Sequence, residues 1–134
     1  MATLLYVDDN SQRLQALQTR LELLGYRVLT ASNGADALDI FNLKHVDLAV
    51  LDYYMHGLGG DIVALDMKKV RPDLPVIIFS GAFTLPEMVI AFVDAFVFTG
   101  DGPDRLIDKI AELLPQPGRI REGKSGQEST KGAA

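Results

Sequence analysis

Several features are missing from this chain. It contains no cysteine, which excludes disulfide bridges and thiolate metal ligands. No apolar run approaches the length needed to span a membrane, and no basic leader precedes the first apolar stretch, which Asp8 and Asp9 end early. We therefore expect neither membrane association nor secretion, and predict a cytoplasmic protein.

Positive charge is also scarce over most of the chain. The 134 residues carry a formal net charge of -5, but the first 114 hold 9 basic and 16 acidic side chains, a net charge of -7. An acidic domain is a poor match for the phosphate backbone, so we expect no direct nucleic-acid binding. Residues 115–134 are slightly basic, poor in apolar residues and without periodicity, which predicts a flexible tail or truncated linker after one domain at 1–114.

Apolar runs alternate regularly with segments of helical periodicity. Five strands are predicted, at 3–7, 26–31, 47–52, 76–80 and 95–98. Five helices are predicted, at 11–24, 33–42, 60–70, 85–93 and 103–114, with Gly25 as a left-handed stop after the first. The strands are almost entirely apolar, which is typical of a parallel sheet covered on both faces. The sequence therefore predicts a doubly wound α/β fold with right-handed crossovers.

Acidic and hydroxyl side chains stand where the strands end. Asp8 and Asp9 follow the first strand, Asp52 ends the third, Ser80 ends the fourth and Thr99 follows the fifth. The carboxyl ends of parallel strands share one edge of a sheet, so we expect these groups to meet there. Crowded carboxylates repel one another unless a cation joins them, and hard oxygen ligands suit magnesium. Each aspartate alone could be a helix cap or a turn residue, but their joint placement favours a magnesium site.

The sequence from Leu4 to Leu114 resembles the receiver domain of two-component response regulators. The matching pieces are the acidic pair in VDDN, the aspartate with its trailing methionine and glycine in LDYYMHGLGG, the hydroxyl in VIIFSG, and the aromatic in DAFVF. The resemblance implies a flavodoxin-like, five-stranded parallel sheet of order 2-1-3-4-5 with five helices. It also implies a signalling protein that catalyses only its own phosphoryl transfer and dephosphorylation, rather than an enzyme.

The resemblance also implies roles for individual residues. Asp52 would be the phosphoacceptor, and an aspartate carboxylate can attack phosphorus to form an acyl phosphate. Asp8, Asp9 and Asp52 would hold magnesium together with the backbone carbonyl of Tyr54. Ser80 would be the switch hydroxyl, and Phe96 the aromatic whose burial reports activation. A histidine kinase or a small phosphodonor would supply the phosphoryl group.

One departure from the family pattern concerns a lysine that receivers carry just after the fifth strand. Thr99 occupies that position, and a threonine brings a hydrogen bond but no positive charge. No basic residue close in sequence replaces it, since Arg105 lies about a turn into the next helix. Two hypotheses follow: phosphorylation with a weakly coupled switch, or an atypical receiver that docks a partner without phosphorylation. The complete acidic set and Ser80 favour the first.

A long apolar segment, LPEMVIAFVDAFVF, covers residues 85–98 and includes a predicted helix that is apolar nearly all the way round. Either part of this helix is exposed or the helix is buried unusually deeply. By the resemblance, the face formed by residues 85–114 would bind a downstream protein or a second copy of the chain. His56, where the family usually has proline, is assigned no role.

Two other function classes fit less well. Metal-dependent hydrolases with an aspartate nucleophile usually carry a second acid two residues later, which neither Asp8 nor Asp52 has. Dinucleotide binding would need a glycine fingerprint directly after the first strand, where this chain has acids, and GLGG lies after the third strand instead.

Overall fold

The computed structural model describes residues 1–114, in which five strands and five α-helices alternate. The strands are β1 (Thr3–Val7), β2 (Arg27–Ala31), β3 (Leu48–Leu51), β4 (Val76–Ser80) and β5 (Ala95–Phe98). The helices are α1 (Ser11–Leu23), α2 (Gly34–Leu43), α3 (Gly60–Val70), α4 (Glu87–Phe92) and α5 (Pro103–Leu113), with a short 3-10 helix at Thr99–Asp101. The predicted tail at 115–134 lies outside the described residues. Within 1–114, no helix is both long enough and apolar enough to span a bilayer.

All five strands are parallel and pair in the order β2-β1-β3-β4-β5, which confirms the predicted fold. The register places the acids of the sequence side by side. Val7 of β1 pairs with Leu51 of β3, so the next residues, Asp8 and Asp52, leave the sheet at the same level. The amide of Asp52 still donates to the carbonyl of Val7 at 2.9 Å, which ties the two strand ends together.

The sheet lies between two apolar layers, and alternate strand residues point into each. On one side Leu5 and Val7 pack with residues of α2, α3 and α4, including Phe41, Met67 and Val89. On the other side Leu4 and Tyr6 pack with residues of α1 and α5, including Leu17, Leu21, Leu106 and Ile110. Burial on both faces explains why the strands are continuous apolar runs. The rigid double-sided core fixes the positions of the strand ends that carry the polar residues.

Local signals account for most element boundaries. Asn10 caps α1 by accepting from the amide of Arg13, and Asn33 caps α2 by accepting from Asp36. Gly25 follows α1 with a φ of 100°, the left-handed conformation that glycine adopts without strain.

Helix α4 is shorter than predicted. It was expected over 85–93, but it runs only from Glu87 to Phe92 because Pro86 serves as its N-cap and Val93 is extended. The 3-10 helix after β5 was not predicted. The other predicted boundaries lie within one residue of the observed ones. The third strand, predicted at 47–52, is one residue shorter at each end, which leaves Asp52 just beyond it.

Candidate functional site

Three carboxylates meet at the edge of the sheet where β1 and β3 end. Asp8, Asp9 and Asp52 each offer an oxygen within 4.8 Å of the others. Asp8 is fully buried and Asp52 is 4% exposed, whereas Asp9 faces solvent. Carboxylates at this separation repel one another strongly when two of them are buried. The arrangement therefore requires a positive charge beside it.

Asp8 is the most fully bonded of the three. Its Oδ2 accepts from the Tyr6 hydroxyl at 2.7 Å and from Nε of Arg13 at 2.6 Å. Its Oδ1 accepts from the Asn10 amide at 2.9 Å and from Nη2 of Arg13 at 3.0 Å. Each oxygen thus has two donors, and the guanidinium binds both oxygens at once, which is the strongest arrangement for a buried arginine–carboxylate pair. The hydrogen bond to Asp8 is also the main cause that raises the pKa of Arg13, so its charge is permanent.

Asp52 is less well stabilised as an anion. Its Oδ1 accepts from the Tyr54 amide at 3.3 Å, and its Oδ2 lies 3.4 Å from Nη2 of Arg13. Burial, followed by the charge of Asp8, raises the pKa of Asp52 to about 6, while Arg13 opposes that shift. A carboxyl with this pKa is largely ionised at neutral pH and keeps few hydrogen bonds, which suits a nucleophile.

The exposed rim of the site contains Asp9, His56 and Tyr54. Nδ1 of His56 lies 3.3 Å from Oδ2 of Asp9, with the imidazole fully exposed to solvent. The ring of Tyr54 is 64% exposed and packs edge to face on Tyr53, with centroids 4.9 Å apart. Both tyrosines directly follow Asp52 in sequence, and Tyr53 also packs against the apolar core.

The hydroxyl residues lie at the ends of the two next strands. Ser80 is fully buried at the end of β4, where its Oγ accepts from the Ala82 amide at 3.3 Å. Thr99 begins the 3-10 helix after β5, and a Cβ added at Gly81 would lie 3.5 Å from its Oγ1. Within the described part of the chain, neither hydroxyl is hydrogen-bonded to the three carboxylates. Phe96 of β5 is partly buried against the core layer that contains α2, α3 and α4.

Two residues of the site, Arg13 and Tyr6, were missed by the sequence analysis. In sequence, Arg105 is the basic residue closest to Thr99, but in the structure the positive charge comes from Arg13 in the first turn of α1. A signal was present, because helical side chains lean toward the helix N-terminus, where Asp8 and Asp9 lie. A second signal was the spacing of Tyr6 and Asp8, since strand residues two apart point to the same face.

The donor set fits magnesium. Three carboxylates that converge within 4.8 Å, two of them buried, provide hard oxygen ligands with excess negative charge. Burial first and the charge of Asp8 second raise the pKa of Asp52, and the opposing charge of Arg13 does not cancel their combined effect. A divalent cation would supply the additional positive charge needed to neutralise the carboxylates.

Comparisons with known proteins identify the family to which this fold belongs. The sequence model of the response regulator receiver domain matches residues 4–99. The probable transcriptional regulator ycf27 of Cyanophora paradoxa is 34% identical over 114 residues, which are 83% of this chain and 47% of that protein. The transcriptional regulatory protein GlrR of Escherichia coli (strain K12) is 36% identical over 118 residues, which are 86% of this chain and 27% of that protein. The chain thus spans about half or less of these curated relatives.

Solved structures give the same result. TrrA from Thermotoga maritima in complex with Mg(2+)-BeF has a TM-score of 0.80 and 30% sequence identity, with 85% of this chain and 100% of that chain covered. TrrA in complex with the histidine kinase ThkA also has a TM-score of 0.80, with 31% identity and 86% and 100% coverage. With a family match over most of its length and the sheet order of the fold, this chain belongs to the response regulator receiver domain family.

Proposed function

We propose that this receiver accepts a phosphoryl group on Asp52 in a magnesium-dependent reaction and thereby switches a partner-binding face. The observation that carries the proposal is the convergence of Asp8, Asp9 and Asp52 within 4.8 Å. A structural role for one aspartate would not explain why three of them, from two strand ends, crowd one another in a partly buried pocket. Membership of the receiver family supports phosphoryl transfer as the purpose of this crowding.

Asp8, Asp9 and Asp52, with the backbone carbonyl of Tyr54, would hold the magnesium ion. Bound there, the ion would neutralise the phosphoryl oxygens and help to align donor and acceptor. The related TrrA was solved with Mg(2+)-BeF, which supports the same requirement in this chain.

In the reaction, an Asp52 carboxylate oxygen attacks the phosphorus atom of the donor. A new O–P bond forms, and the P–N bond of a phosphohistidine, or the P–O bond of a small acyl phosphate, breaks. The bonding electrons leave with the histidine or the carboxylate, and the histidine takes up a proton. A pKa of about 6 leaves Asp52 ionised at neutral pH, as this attack requires. The complex of TrrA with ThkA supports a histidine kinase as the donor.

Ser80 and Phe96 would transmit the conformational change from the phosphorylation site to the surface. Within the described residues the Ser80 hydroxyl accepts a single long hydrogen bond, of 3.3 Å from Ala82, so its own proton is available to a phosphoryl oxygen. Phe96 lies two residues before Phe98, the register partner of Ser80, and is only partly buried. Movement of Ser80 toward Asp52 would open space into which the Phe96 ring can turn.

The direct test is to incubate the protein with acetyl phosphate and magnesium and to measure its intact mass. Wild type should gain one phosphoryl group, and Asp52→Asn, which keeps the shape but lacks the nucleophile, should gain none. Addition of EDTA should abolish labelling of wild type. Absence of labelling in wild type, or equal labelling of Asp52→Asn, would contradict the proposal.

A second candidate function is a docking module that works without phosphorylation. It is favoured by the absence of a charge on Thr99 and by an apolar surface next to β5. Met88 is 74% exposed and Ile90 and Phe83 are exposed too, while Val89 on the same helix is buried. The apolar helix is therefore partly uncovered, which was one of the two alternatives predicted from sequence. The partner would be a downstream protein or a second copy of the chain.

Where the partner is a second copy of the chain, sedimentation at increasing concentration separates the two candidates. A phosphorylation switch predicts association that depends on beryllofluoride and magnesium, whereas a constitutive docking module predicts association that does not. The variant Met88→Ser, which removes exposed apolar surface without approaching Asp52, should weaken association in both cases.

A further inference from the structure

The site lacks the lysine that receivers use to pair with the phosphoryl group. Thr99 stands in its place, and its Oγ1 contributes no charge. A phosphoryl group on Asp52 would add negative charge beside Asp8 and Asp9, which already lie within 4.8 Å. The repulsion within such a cluster is large unless a cationic side chain, as well as the metal, neutralises part of the negative charge.

Arg13 is the cation best placed for this task. Its Nη2 lies 3.0 Å from Oδ1 of Asp8 and 3.4 Å from Oδ2 of Asp52, so one nitrogen already bridges the two carboxylates. Among the arginine and lysine residues of 1–114, it alone forms ion pairs with Asp8 or Asp52. The side chain is 32% exposed, which leaves room for the guanidinium to turn.

Local helix preferences do not explain this placement. Arg13 lies in the first turn of α1, where the helix dipole disfavours a positive charge, and that turn holds no acidic residue to compensate. Its amide is fixed by the Asn10 cap, so the start of the side chain is held next to the strand ends. The carboxylates of the site, rather than the helix, account for an arginine here.

We propose that Arg13 pairs with the phosphoryl group on Asp52 and so supplies the charge that Thr99 does not. This inference rests on the proposed function. In the resting site the guanidinium is divided between Asp8 and Asp52. In the phosphorylated site it turns from Asp8 to the phosphoryl oxygens, which its planar fork can bind in pairs.

The plain alternative is that Arg13 only neutralises the buried charge of Asp8. The two roles predict different affinities for a phosphoryl analogue when the guanidinium is removed. If Arg13 competes with a cation for Asp8 and later binds the phosphoryl group, its loss strengthens magnesium binding and weakens binding of a phosphoryl analogue. If Arg13 only neutralises Asp8, its loss also strengthens magnesium binding but leaves binding of the phosphoryl analogue at saturating magnesium unchanged.

The experiment compares wild type, Arg13→Ala and Arg13→Lys by titration calorimetry, first with magnesium alone and then with beryllofluoride at saturating magnesium. Arg13→Ala should bind magnesium several-fold more tightly and beryllofluoride about tenfold more weakly. Arg13→Lys, which restores the charge without the fork, should recover part of the beryllofluoride affinity. Arg20→Ala is the matched control, because Arg20 lies on the same helix but pairs with Asp104.

The outcomes are distinct. Parallel loss of both affinities in Arg13→Ala, or beryllofluoride affinity within twofold of wild type, would overturn the role of Arg13 while leaving phosphorylation of Asp52 intact. Failure of wild type itself to bind beryllofluoride would overturn the proposed function, and this inference with it. Should Arg13→Ala not fold, Arg13→Gln, which keeps the hydrogen-bonding shape without the charge, is expected to show the same opposite shifts.

Discussion

The hydroxyl of Tyr6 donates a 2.7 Å hydrogen bond to Oδ2 of Asp8, and both side chains are completely buried. Burial and the neighbouring Asp8 both raise the pKa of Tyr6, so the phenol stays protonated and remains a donor at any physiological pH. A tyrosine inside an apolar strand is therefore part of the acidic site. Its hydroxyl stabilises the buried charge of Asp8.

Removal of this donor should destabilise the fold. In Tyr6→Phe, Oδ2 of Asp8 keeps only Arg13, and loss of a hydrogen bond to a buried charge should lower the free energy of unfolding by about 1.5–3 kcal/mol. Urea denaturation in EDTA measures the effect. Tyr26→Phe is the control, because Tyr26 packs against the same core layer without a side-chain hydrogen bond within the described residues. A loss below about 0.5 kcal/mol for Tyr6→Phe would show that the hydrogen bond from Tyr6 to Asp8 contributes little to stability.

The stability of the metal-free protein should fall as Asp52 ionises. The pKa of Asp52 in the fold is about 6, against an ordinary value of 3.8, so the folded state binds this proton more tightly than the unfolded chain does. The stabilisation that comes from protonated Asp52 is complete below pH 3.8 and is lost as the pH rises to about 6. The free energy of unfolding falls by about 3 kcal/mol over this range.

Asp52→Asn carries no such charge and should be more stable than wild type by about that amount above pH 6, with the two converging near pH 4. Urea denaturation in EDTA across this pH range provides the measurement. Asp108→Asn, which alters an exposed carboxylate on α5, should stay within about 0.5 kcal/mol of wild type throughout. Equal stability of Asp52→Asn and wild type at neutral pH would refute the destabilisation attributed to the buried charge of Asp52.

Gly60, the first residue of α3, holds the loop that presents Asp52. A Cβ at this position would lie 2.2 Å from the backbone carbonyl oxygen of Asp52, and backbone cannot yield as a flexible side chain can. Gly60→Ala should therefore displace Asp52, with a loss of roughly 2 kcal/mol or more in stability and weaker magnesium binding in an NMR titration. Gly81→Ala adds the same methyl group at an ordinary contact distance of 3.5 Å from Thr99 and should leave both quantities near wild type.

The missing lysine can be restored at Thr99. Thr99→Lys in the Arg13→Ala background should recover the affinity for beryllofluoride at saturating magnesium, because either cation can pair with the added charge. In the wild-type background the gain should be smaller, since Arg13 already contributes. Thr99→Met, of similar length but uncharged, is the control. No recovery in the double variant would place Thr99 too far from the phosphoryl group to replace Arg13.

The sequence by itself determined the architecture. Continuous apolar runs, helix periodicity and the caps at Asn10 and Asn33 are local signals, and together they predicted five strands and five helices with few boundary errors. The meeting of Asp8, Asp9 and Asp52 also followed from sequence, because parallel strands deliver their carboxyl ends to one edge whatever the details of packing.

Only the tertiary structure decided which groups complete the site. Arg13 is five residues from Asp8 and 39 from Asp52, and its long side chain could equally have reached solvent. Its choice of partner depends on how α1 packs against the ends of β1 and β3, which no periodicity encodes. The exposure of Met88 on α4 also depends on tertiary packing, since the burial of a helix is determined by the elements that cover it. Local sequence fixes where the backbone goes, whereas the pairing of long polar side chains is settled by the space and charge around them.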